Sequence, residues 1–130
     1  PGYGKSGYGF PVTSIQMQAE YLSPILERHT NGKPVLVIGR SFGAPVAAQL
    51  VANYQDKVKA LILVGAAIDP DREKFWWFSG LGNVQLIRWL LPRAMNVATD
   101  EKFSHRDELR KLLPMWKTLH IPVSIMHGQD

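Results

Sequence analysis

The chain has 130 residues, of which 45% are apolar and 20% charged, with 11 Gly and no Cys. That is room for one compact domain and too little for two, and the composition is neither disordered nor fibrous. Fifteen Lys and Arg against 11 Asp and Glu give a formal charge of +4, but the basic residues are scattered, which argues against a nucleic-acid surface.

Without Cys there is no disulfide framework and no thiolate metal site, and four separated His lack helical ligand spacing, so no metal and no cofactor are expected. No apolar run approaches the roughly 18 residues of a membrane span, and the opening Pro1-Gly2-Tyr3-Gly4 is neither an initiator Met nor a signal peptide. The compartment is left open, with the cytoplasm favoured.

In chain order, the Gly-rich stretch from Pro1 to Pro11 reads as a loop. Thr13 with Gln16 forms a capping box, and Ile15, Ala19, Leu22, Ile25 and Leu26 predict a helix to about His29, kinked at Pro24. Asn31-Gly32 ends it. Pro34 to Ile38 is an unbroken apolar run of the kind found in strands buried on both faces, and Val58 to Val64 has the same character. Between them Ala44 to Tyr54 predicts a helix whose Ala44, Ala47 and Ala48 let it lie close to a sheet. Residues 34 to 64 thus form one strand, helix, strand unit of about 30 residues, which demands a parallel sheet. A third strand is expected at Pro122 to Met126, after a long detour.

The detour, 69 to 119, carries Phe75, Trp76, Trp77, Phe78, Trp89 and Trp116 and two helical patterns. One spans about Val84 to Leu91; the other starts near Ser104 and sets Leu109, Leu112, Leu113 and Trp116 along one face. Its length exceeds what a connection needs, so it reads as a helical cap on a core made of 1–68 and 120–130.

Gly39-Arg40-Ser41-Phe42-Gly43 matches G-x-S-x-G and falls in the turn between the first strand and the small-residue helix. A serine there sits at strained backbone angles, and Cβ atoms at both flanking positions are expected to collide where strand and helix converge, so Gly39 and Gly43 remove them. The turn lifts the hydroxyl above the carboxyl end of the sheet and leaves the Phe42 amide as an oxyanion donor. A Gly-rich turn with an idle Ser is the bland alternative.

On these residues the chain resembles the α/β-hydrolase superfamily over essentially its whole length. Pro1 to Ser6 resembles the loop after that fold's fourth strand, 34 to 54 the fifth strand with its nucleophile elbow and helix, and Val58 to Val64 the sixth strand. His120 to Gly128 is similar to the seventh strand with its terminal His-Gly. The fold class implied is α/β, a parallel sheet of the fifth to seventh strands flanked by helices, with a helical cap insertion.

The resemblance implies Ser41 as nucleophile and the Phe42 amide as half of the oxyanion hole. Arg40 either tunes the electrostatics of the site or packs, and packing is the favoured reading. The acid of a His-Gly-x-x-Asp pattern counted from His127 falls at position 131, so Asp130 serves only if the turn is shorter by one. The catalytic His of the family has no counterpart among His29, His105, His120 and His127; His127 is expected to fix its turn and His105 to be a solvated helix-start residue. The implied partner is an ester-like small-molecule substrate, in an esterase, lipase-like, thioesterase, amidase or carbon-carbon hydrolase. A Ser at position 41 excludes dehalogenases and epoxide hydrolases. A chain lacking its His is expected to be inactive alone, and an unpaired apolar strand edge to favour aggregation.

Two other readings stand beside this one. Gly4-Lys5-Ser6 suggests a phosphate loop, but the earlier glycine and the following helix are missing. A non-catalytic fragment or binding module that keeps the fold without the chemistry is the alternative from another class.

Overall fold

A computed structural model describes residues 12–30, 32–71 and 104–128. The expected opening loop, the helix at 84–91, the aromatics from Phe75 to Trp89 and Asp130 lie outside them.

The order of elements is helix α1 (Ile15–Thr30), strand β1 (Val35–Arg40), helix α2 (Gly43–Asn53) and strand β2 (Val58–Val64), then helix α3 (104–112) and strand β3 (Val123–Met126). The three strands form one parallel sheet in the order β1-β2-β3. Helices flank it, so the α/β class read from the sequence holds. α2 packs on β1 and β2, and α1 leans mainly on α2. Ala44, Ala47 and Ala48 bring α2 against the sheet, and with Val51, Leu61, Leu63, Ile15 and Ala19 they make the buried core.

The capping box is shifted by one residue. α1 starts at Ile15, and it is the Ser14 hydroxyl, not that of Thr13, that accepts the Met17 amide at 3.4 Å. Gln16 reaches forward to Glu20 instead of back to the cap. α1 also runs through Pro24. Proline has no amide for the Glu20 carbonyl one turn earlier, and the Ser23 hydroxyl donates to that carbonyl at 2.9 Å in its place. The buried line of α1 is Ile15, Gln18, Ala19 and Leu26; Leu22 and Ile25 of the expected stripe are exposed.

The expectation that β1 is buried on both faces is corrected. Val35 and Val37 are half-buried and Gly39 is buried, while Leu36 is 52% and Ile38 61% exposed. Register pairs Ile38 with Ile62 and Ile62 with Ser124, and Val64 lies between Arg40 and Met126. Strand alternation therefore puts these residues on one face. The helices α1 and α2 cover the other. In β2, Leu61 and Leu63 are fully buried under α2, while Ile62 and Val64 on the bare face are half-buried.

β3 joins at the far edge of β2. Its entry is held by the Gln55 side chain, whose amide donates to the Thr118 carbonyl at 2.8 Å and whose oxygen accepts the His120 amide at 2.7 Å. One side chain after α2 thus makes the paired contacts that a backbone would make, and the Leu61 amide then donates to Pro122 at 3.0 Å to begin the ladder. Of the face expected on the last helix, Leu109 and Leu112 are buried. Leu113 is exposed, and Trp116 falls in a short 3-10 turn after the helix.

α3 is fastened to the start of α1 through Glu108, which is buried. Its carboxylate accepts the Ile15 amide at 2.9 Å and pairs with Lys111. The first amides of a helix have no partner within it and carry partial positive charge, so a carboxylate there is favoured. Burial by itself pushes the Glu108 carboxyl up; the hydrogen bonds from Lys111, the Ile15 amide and the Ser14 hydroxyl outweigh it and leave the group below its usual value.

A group held below its unfolded value stabilises the fold above that value, and the contribution vanishes as pH falls through the lowered one. Replacing Glu108→Ala should cost about 1–3 kcal/mol at neutral pH, the loss of hydrogen bonds to a charged acceptor. In urea unfolding at a series of pH values, the difference between the two proteins should be full above about pH 4.3 and shrink in more acidic solution. A constant difference would assign the loss to packing instead.

Candidate active site

The site is built where β1 gives way to α2. Gly39 ends the close approach: a Cβ there would lie 2.7 Å from the Ala44 Cα and 2.8 Å from the Ala47 Cβ. Both are fixed atoms of the packed helix, so neither can yield. Gly43 is different. A Cβ at Gly43 meets no atom within 4 Å among the described residues, so the expectation that both glycines relieve a collision is corrected to Gly39 alone. Gly43 is the first residue of α2 and points outward.

Ser41 has φ of 49°, the one positive φ outside glycine among the described residues. This left-handed conformation is costly for a residue with a Cβ, and here three backbone hydrogen bonds hold it. The Ser41 amide donates to the Val64 carbonyl at the end of β2 at 3.0 Å, and the Ser41 carbonyl accepts the amides of Ala44 at 3.0 Å and Ala67 at 3.4 Å. The side chain is exposed. Phe42 follows in the right-handed helical region, φ −56° and ψ −29°, as the residue capping α2. Among the described residues its amide donates no hydrogen bond. A free amide at a helix start, next to an exposed hydroxyl, is a donor available to an anion.

Ser41 opens into a cleft of about 420 Å³ at the carboxyl ends of the strands. Arg40 and Ser41 line it from β1, Val64 and Gly65 from β2, and Met126, His127 and Gly128 from β3. Gly65 turns the chain away from β2 with φ of 52°, and its amide donates to the Met126 carbonyl at 2.8 Å. Arg40 is exposed in this cleft rather than packed, which corrects the favoured reading; strand alternation puts it on the face opposite the helices. It gives the mouth a positive charge.

His127 shares the cleft with Ser41, and its Nδ1 lies 3.4 Å from the carbonyl of Gly128, a contact within its own turn. His29 is at the end of α1 and His120 before β3, both away from the cleft. His105 is 2% exposed, and its ring stands 4.6 Å from that of Phe42 at 33°. The expectation of a solvated helix-start residue is therefore wrong: α3 turns its first residues inward onto the turn. Sequence pattern held no signal for this contact. Asp130 lies outside the described residues, and among those described no group of three His, Asp or Glu could hold a metal.

A second, larger recess of about 530 Å³ lies beside β3, lined mainly by apolar side chains such as Leu113, Trp116, Leu119 and Ile125. Asp69 is the charged residue of its lining among the described residues, and Ser41 is not part of it. Among the described residues no helix is long and apolar enough to cross a membrane.

With strand, turn and helix in place, comparison with known proteins agrees. The family described as alpha/beta hydrolase fold matches residues 1–115, and the chain belongs to that family. Lipase LipV of Mycobacterium tuberculosis is 39% identical over 70 residues, which are 54% of this chain and 26% of that protein. The chain thus spans about a quarter of the length of this curated relative. No solved structure matches.

The glycine geometry is testable by substitution. Gly39→Ala should lose about 1–3 kcal/mol through overpacking, whereas Gly43→Ala should change stability by no more than about 0.5 kcal/mol. Chemical denaturation of the two variants measures both, and equal losses would show that the close approach at Gly39 is not what the turn depends on.

Proposed function

We propose that this chain carries the nucleophile of a serine hydrolase that acts on an ester-like small molecule through an acyl-enzyme on Ser41. One observation supports this above the others: an exposed serine at φ 49° between a parallel strand and a helix, beside an amide that donates no hydrogen bond among the described residues. A serine so placed is what a nucleophile elbow calls for, which supports the reading. In this reading the Ser41 hydroxyl attacks the substrate carbonyl, a histidine takes its proton, and the tetrahedral oxyanion is met by the Phe42 amide. The leaving alcohol departs with that proton, and water then releases the acid. The residues between β2 and β3 form the cap in this proposal, and its aromatics favour an apolar acyl or aromatic group.

No histidine among the described residues is hydrogen-bonded to Ser41. The proposal takes the base and the acid from parts of a longer parent beyond these 130 residues, as suits a chain spanning a quarter of its lipase relative. The same fact favours the second reading, that the chain alone is a scaffold without chemistry.

A fluorophosphonate probe separates the readings, because it reacts only with an activated serine. The 130-residue chain should stay unlabelled, the chain extended at both ends by its native sequence should be labelled, and Ser41→Ala in the extended chain should abolish labelling. A folded extended chain that resists the probe would sink the enzyme assignment.

A further inference from the structure

The insertion between β2 and β3 touches the serine turn through an aromatic contact, the imidazole of His105 against the ring of Phe42, 4.6 Å between centroids. His105 is not placed to swing. The next residue, Arg106, donates from Nε to the Pro70 carbonyl at 3.0 Å, and one turn further Glu108 accepts the Ile15 amide at 2.9 Å. Leu109 and Leu112 are buried in the core. The start of α3 is therefore tied to the loop leaving β2, to the head of α1 and to the core at once, with the imidazole facing the serine turn.

Phe42 is the residue through which that contact can act. Its amide lies in the planar peptide between Ser41 and Phe42, and rotation of that peptide about the Ser41 Cα–C bond carries the Phe42 Cα and its ring along with the amide. A ring packed at a tilt of 33° against an anchored imidazole resists that rotation. We propose that His105 is a positioning residue: by bracing the Phe42 ring it holds the 41–42 peptide plane and so the aim of the Phe42 amide at an oxyanion formed on Ser41. What the amide does rests on the serine hydrolase reading; how it is held rests on the geometry alone. The insertion then belongs to the catalytic apparatus at its root, whatever its outer part does.

Two measurements test this. In the 130-residue chain, the Phe42 amide is followed by nuclear magnetic resonance: His105→Ala should shift its resonance and speed its hydrogen exchange, while His105→Phe, which keeps a ring, should leave both near the parent. In the extended chain, His105→Ala should slow fluorophosphonate labelling and ester kcat by about 10- to 100-fold, below or equal to the loss of one oxyanion donor. KM should hold within about twofold, and His105→Phe should restore the rate. If His105→Ala does not fold, Phe42→Leu removes the stack from the other side, retains the amide, and should show the same slowing. A folded His105→Ala with an unmoved Phe42 amide and parental labelling overturns the proposal, as does a His105→Phe protein as slow as His105→Ala. An extended parent chain that does not label refutes the hydrolase reading instead, and the resonance of Phe42 then decides the positioning by itself.

Discussion

The molecule depends on how near α2 can come to the end of β1. Helix and strand meet at Gly39, where a single added carbon would stand 2.7 Å from the backbone of Ala44. Because that carbon is absent, the chain reverses from strand to helix within two residues, Ser41 and Phe42. Ser41 then has to take up a left-handed conformation, and its hydroxyl is thrown outward beyond the sheet. The cost of that conformation, about 1–2 kcal/mol for a residue with a Cβ, is offset by hydrogen bonds accepted from α2 and from the loop after β2 and by one donated to the end of β2. Core packing and the exposed serine are in this sense one constraint seen from two sides.

The second organising contact is α3, which lies between β2 and β3 in sequence and against the core in space. Glu108 completes the first turn of α1, Arg106 holds the loop after β2, and His105 meets Phe42. Residues far apart in the chain thus meet through α3. The sheet and α2 make the turn; α3 touches it through His105.

Much of this could be read from the residues. The strand, helix, strand unit from 34 to 64, the position of the serine turn and the parallel sheet all rest on local pattern, in which apolar runs, small residues and glycines sit at fixed offsets. The misreadings share a different cause. An apolar run such as Val35 to Ile38 records what a strand can be buried by, but not whether a layer lies on both of its sides, so the exposure of Leu36 and Ile38 was not foreseeable. Thr13 and Ser14 are both able to cap, and the choice falls to Ser14 beside Glu108, some ninety residues away. A polar residue at a helix start reads as solvated, and only the tertiary contact with Phe42 buries His105. Gly43 looked equivalent to Gly39 because the motif is symmetric in letters; in space one faces the packed interface and the other faces out.

The hydrogen bond from the Ala67 amide to the Ser41 carbonyl extends the scaffold past the last residue of the sheet. Three residues beyond β2 the chain is still tethered to the bend that carries the serine, so a deletion or an added residue before position 67 would drag on Ser41 directly. Three residues further the Pro70 carbonyl accepts the Arg106 Nε, which fixes the path a second time. The stretch from the end of β2 to Pro70 is therefore held to its length by the same bonds that hold the serine bend.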